Sequence, residues 1–144
     1  MGYKSSRAQV SIELMVMIAA ILALFIPLLL HVYFKTNEAN EQLAQVQAEL
    51  ASGRIASLIN AIGNLGEGSS LIVEVFIPGN VKSVKLKNLG RGGEVIVKAS
   101  TQSGETDFVN VVRFPVDELT IDKPLQGLKR FNISYDGQKV SVKN

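Results

Sequence analysis

The sequence predicts an α+β chain: a long N-terminal hydrophobic and then amphipathic helix, followed by a small antiparallel β-sandwich-like head. Three observations predict it. Residues 9–34 hold 21 apolar residues out of 26. Residues 35–62 are rich in Ala, Gln, Glu and Leu, which favour helix, and their apolar residues recur every three or four positions. From residue 68 onward, short apolar runs alternate with turns built on Gly, Pro, Asn and Asp, and no second helical pattern occurs. The expected divisions are residues 1–8, 9–34, 35–63 and 64–144.

The first stretch is short, polar and basic. Lys4 and Arg7 precede the apolar run, and no acid accompanies them. Leu14–Leu30 carries no charge, and its flanks extend it to about 25 residues, enough to cross a hydrocarbon core. The basic residues predict a cytoplasmic N-terminus and an outward-facing C-terminal region. No small-x-small site follows the run, and the residues after it (HVYFKTNEANEQ) are bulky or charged. A conventional cleaved secretory signal is therefore not expected, and the helix stays with the protein.

Glu13 stands at the start of that helix. An ionisable residue there either sits at the headgroup level, where a helix N-terminus favours an acid, or serves a function that repays its cost in the membrane. Pro27 removes one backbone hydrogen bond and is expected to kink the helix. Membrane helices tolerate such a proline, so it is either neutral or a packing device. His31 falls where the outer interface is expected.

The helical pattern continues through Leu43, Val46 and Leu50 and then Ile55, Leu58, Ile59 and Ile62, a stripe expected to face the head. Residues 9–62 as one helix would run about 80 Å. Gly63 and Gly66 read as stop signals.

Six strands are expected beyond them. Leu71–Ile77 is nearly continuous in apolar residues and predicts burial on both faces. Val81–Lys87 and Glu94–Ala99 follow, then a polar loop over Ser100–Asp107. Phe108–Val116 and Leu128–Tyr135 come next, and Asp136-Gly137 marks a hairpin into Lys139–Lys143. Alternation that buries Phe131, Ile133 and Tyr135 turns Asn132 to the opposite face. Asn132-Ile133-Ser134 is the single N-x-S/T sequon, so Asn132 is a candidate N-glycosylation site, and an unmodified sequon is the alternative.

Composition narrows the function. The chain of 144 residues is 47% apolar, 19% charged and has a net charge of +2. It has no cysteine, and His31 is its one histidine. Disulfide frameworks, thiolate zinc sites and Ser-His-Asp or Cys-His catalysis are thereby excluded or disfavoured. No phosphate-cradling loop or paired carboxylates stand out, so no enzyme activity, cofactor or metal is expected. Lys82, Lys85, Lys87 and Arg91 form the densest basic stretch, but few aromatic residues are interleaved, and no nucleic-acid partner is expected.

Arg7-Ala8-Gln9-Val10-Ser11-Ile12-Glu13-Leu14, set between a basic leader and an apolar helix, resembles the class III signal peptide of archaeal type IV pilin-like proteins. The family pattern is Q-x-S-x-E, matched here by Gln9, Ser11 and Glu13. The likeness covers roughly residues 4–34. It implies cleavage between Ala8 and Gln9 by a membrane-embedded prepilin peptidase. It further implies that the membrane-held precursor is passed to pilus assembly machinery and built into an extracellular filament for adhesion, a helical homopolymer held through the N-terminal helices. Glu13 would then pair with the terminal amine of a neighbouring subunit. As an i,i+4 neighbour of Gln9 it is also placed to meet its own chain's amine. A minor pilin-like or single-pass membrane-anchored surface binding protein that does not polymerise is the alternative.

Overall fold

The computed structural model describes residues 4–101, 104–122 and 125–144, with side chains from residue 10 onward. The chain is α+β: one helix, α1 (Lys4–Leu65), precedes seven strands. It divides into two compact units, Met1–Asn40 and Glu41–Asn144.

The first unit is helix alone. The backbone is helical from Lys4, so Lys4 and Arg7 already belong to α1. The helix continues through Pro27. Apart from the hydrogen bond that Pro27 cannot donate, such a helix pairs its backbone internally, as a segment in lipid must.

The second unit joins the last turns of α1 to two antiparallel sheets. The strands are β1 (Ser70–Ile77), β2 (Val81–Asn88), β3 (Gly93–Thr101), β4 (Gly104–Val112), β5 (Leu119–Asp122), β6 (Gly127–Tyr135) and β7 (Val140–Lys143). One sheet has the order β1-β6-β7 and the other β4-β3-β2-β5. The buried face of the helix and the inner faces of both sheets share one core. Ile55, Ile59 and Ile62 meet there with Val75, Ile77, Val95, Val97, Phe131 and Ile133.

Several expectations are corrected. Leu43, Val46 and Leu50 do not face the core; all three are exposed. The helix buries Ala48, Ala51 and Ser52 instead. Small side chains let a sheet come close enough to bond: the Ser52 hydroxyl lies 3.3 Å from the Phe108 carbonyl and accepts from Asn110 Nδ2 at 2.9 Å. Gly63 is not a stop signal. It is buried inside the helix, where a Cβ would fall 2.2 Å from the Phe114 ring. The end comes at Leu65, with Gly66 at φ +95°, the left-handed position that suits a residue without a Cβ. The Ser69 hydroxyl donates to the Ile62 carbonyl at 3.0 Å and so covers an orphan acceptor of the last turn.

In the head, the expected polar loop over Ser100–Asp107 is mostly strand: β3 runs to Thr101 and β4 begins at Gly104, and the two are paired, while residues 102 and 103 lie outside the described residues. Strand β4 stops at Val112 rather than Val116. Its continuation is held off the sheet, with the Arg113 N–H donating to Asn60 Oδ1 at 2.8 Å on the helix. β5 is an additional, unforeseen strand, paired to β2 from Ser83↔Asp122 to Leu86↔Leu119. β1 is buried on one face only, since Ile72, Glu74 and Phe76 point outward. The Asp136-Gly137 hairpin forms as expected, with Asp136 Oδ1 accepting from the N–H groups of Gln138 and Lys139 at 2.9 and 2.7 Å.

Candidate functional site

The feature that demands an explanation is the apolar surface of α1. Every described side chain from Val10 to Phe34 is exposed in the isolated chain, and Leu24 reaches 76%. The most apolar window of the helix has a mean hydropathy of 2.7 and is 0% buried. A helix apolar nearly all round needs lipid or other apolar helices around it. The segment is thus long and apolar enough to cross a membrane.

Its C-terminal border is built from residues suited to an interface. Tyr33 and Phe34 stand edge to face, with ring centroids 6.0 Å apart, in keeping with the aromatic belts found at bilayer surfaces. The Lys35 ammonium then meets the Glu38 carboxylate at 2.8 Å. That hydrogen bond and charge raise the Lys35 pKa and lower that of Glu38. The Thr36 hydroxyl folds back onto the Val32 carbonyl at 2.9 Å. Charge returns to the helix at Lys35, just past the exposed His31.

At the N-terminal border, Ser11 and Glu13 are both exposed on the helix. Ala8 and Gln9 belong to the helical backbone, and their side chains lie outside the described residues. The i,i+4 spacing puts position 13 one turn beyond position 9 on the same side of the helix. Pro27 is exposed among apolar neighbours.

The exposed apolar side chains continue past the first unit. Leu43, Val46 and Leu50 lie exposed on α1 within the second unit, and Val46 and Leu50 line an open groove between the helix and β4. Asn60, Asn110 and Arg54 add polar groups to that groove. Nothing there resembles a catalytic constellation: among the described residues no three His, Cys, Asp or Glu side chains group to hold a metal.

Asn132 is exposed on the outer face of β6, opposite the buried side chains of Phe131 and Ile133. Within the basic stretch, Lys82 pairs with Glu105, which also meets Lys98, and Asp107 reaches Lys98 at 3.8 Å. Sequence reading missed these pairings because the partners lie on different strands, brought together by the β2–β3 and β3–β4 registers.

No family model, curated protein or solved structure matches this chain. The functional reading therefore rests on the residues themselves.

Proposed function

We propose that this protein is a structural subunit of an archaeal type IV pilus-like surface filament that serves adhesion. The observation that carries the reading is the uncovered apolar helix from Val10 to Phe34 directly following the Gln9-x-Ser11-x-Glu13 motif. The precursor sits in the membrane with Lys4 and Arg7 on the cytoplasmic side and the head outside. A prepilin peptidase cuts between Ala8 and Gln9, and the assembly machinery moves the helix from lipid into a bundle of identical helices.

The energetics give this order a reason. Lipid and neighbouring helices cover apolar side chains almost equally well, so leaving the bilayer gains little hydrophobic free energy. Specific packing and polar pairing must select the register. Glu13 fills that role by pairing with the terminal amine of a neighbour, because both charges are costly to bury alone. Once the helices leave the membrane, water is the competitor. Each buried Leu, Ile or Phe is then worth about 1.5–3 kcal/mol, which keeps the polymer together.

A single-pass surface protein that stays in the membrane uses the same helix. N-terminal mapping by mass spectrometry on surface filaments and on membranes separates the two. A mature start at Gln9 in filaments is expected. An intact Met1 on a protein confined to membranes overturns the filament reading.

A further inference from the structure

The outer face of the three-stranded sheet carries apolar side chains that stay largely exposed among the described residues. Ile72 is 63% exposed, Phe76 52% and Leu128 68%. The β1–β6 register sets them in rows: Phe76 opposes Leu128, Glu74 opposes Arg130, and Ile72 opposes Asn132. Opposed residues on one face have Cβ atoms about 4.5–5.5 Å apart. The middle row is an ion pair, with Arg130 Nη2 3.1 Å from Glu74 Oε1. The strip is thus apolar at the Phe76–Leu128 end, charged at its centre, and mixed at the other end, where Ile72 faces Asn132.

Its one modifiable residue is Asn132. The two-residue period of a strand puts Asn132 and Ser134, the two side chains the sequon requires, on this same outer face. Asn132 is exposed and Ser134 is partly so. From Asn132 to Leu128 along β6 is about 13 Å, within reach of a short oligosaccharide. Sugar rings have an apolar C–H face and a hydroxyl rim. That pattern matches Ile72 and Phe76 flanking Glu74 and Arg130. The outer face of the four-stranded sheet also exposes Val109 and Val111, beside the ion pairs of Lys82 and Lys98 with Glu105 and of Lys98 with Asp107, but it carries no sequon.

We propose that Asn132 carries an N-linked oligosaccharide that folds over Ile72, Phe76 and Leu128 and shields this sheet face. The donor is a glycan activated as a polyprenyl phosphate or diphosphate. The Asn132 Nδ2 atom bonds the anomeric carbon and loses one proton. The bond from that carbon to the phosphate oxygen breaks, and the polyprenyl phosphate, or diphosphate where that is the carrier, leaves with its electron pair. The inference rests on the part of the functional reading that puts the head outside the cytoplasm, not on polymerisation.

The test uses the full chain recovered from the cells that make it. Trypsin releases residues 131–139 as one peptide, cut after Arg130 and Lys139. Saccharide mass is expected on that peptide in the wild type and in Ser134→Thr, and is expected to vanish in Ser134→Ala and Asn132→Gln. Hydroxyl-radical footprinting then reads side-chain access. Oxidation at Ile72, Phe76 and Leu128 should rise about twofold in both sequon variants as the patch is uncovered. Val109 and Val111, exposed on the other sheet, should stay constant and report an intact fold. An unmodified 131–139 peptide in the wild type overturns the inference. So does a glycan whose loss leaves oxidation unchanged, the result a second protein copy on this face would give. A Gln9 start with a bare Asn132 overturns this inference and leaves the filament reading standing. A Met1 start with a glycosylated Asn132 does the reverse.

Discussion

Two glycines in one helix make opposite demands. A Cβ at Gly53 meets nothing within 4 Å, whereas one at Gly63 meets the Phe114 ring at 2.2 Å. That ring also stands edge to face on Tyr135, centroids 5.6 Å apart, so it has little room to retreat. Gly53→Ala should therefore stabilise the second unit by about 0.5–1 kcal/mol, because alanine is the better helix former. Gly63→Ala should destabilise it by about 1–3 kcal/mol through overpacking. Thermal unfolding of the full chain in detergent, followed by circular dichroism, checks both signs. Asp136 supports a pH prediction. The N–H groups of Lys139 and Gln138 hold its carboxyl below the usual aspartate range. A carboxylate with a depressed folded pKa adds stability above its unfolded value, about 3.9, and that stability is lost as pH falls through the folded pKa. Asp136→Asn should therefore flatten the acid limb of a denaturation-midpoint curve taken between neutral pH and about pH 2. The asparagine Oδ1 can still accept the turn's hydrogen bonds, so the loop should persist.

Elements were legible where a local signal sufficed. Asp136-Gly137 marked its hairpin, and the run from Leu14 to Leu30 marked its helix. Where tertiary proximity decided, the sequence was misleading. Leu43, Val46 and Leu50 have the volume of core residues, yet the core wanted the small faces of Ala48, Ala51 and Ser52, which let the strand carbonyls approach. β5 was missed because Leu119–Asp122 is four residues of mixed polarity, stabilised by pairing with β2 rather than by its own pattern. The likeness at Gln9, Ser11 and Glu13 was legible as a motif, whereas the apolar strip beside Asn132 needed the β1–β6 register to be seen. The helix itself yields a sharp expectation. Leu24 sits near the middle of the apolar run and is its most exposed large side chain. Leu24→Lys places a charge at that depth, at about 2.5–3.5 kcal/mol on insertion scales. The variant should shift from the membrane fraction to the alkaline-extractable fraction. Leu24→Ile should not.

At the scale of the whole molecule, the net charge of +2 is matched by Lys4 and Arg7, the charged residues of the first eight. Without residues 1–8 the chain holds thirteen basic and thirteen acidic residues. Processing at Gln9 should therefore move the protein to a more acidic isoelectric point, which isoelectric focusing of precursor and mature forms would show. An unshifted band would mean that Lys4 and Arg7 remain. The strand pairing adds a constraint in time. Strands β2 to β5 are consecutive in the chain, and their sheet can close once residue 122 is available. β1 is the first strand made, yet its partner is β6, at residues 127–135. While the chain is being made, the apolar sequence Leu71–Ile77 must wait for nearly all of the head to be complete. During that wait it is an unpaired, aggregation-prone strand. Nascent heads are thus safest when kept apart, and in the proposed filament subunit the helix that would later gather the copies would first hold each one singly in the bilayer until its last strands are made.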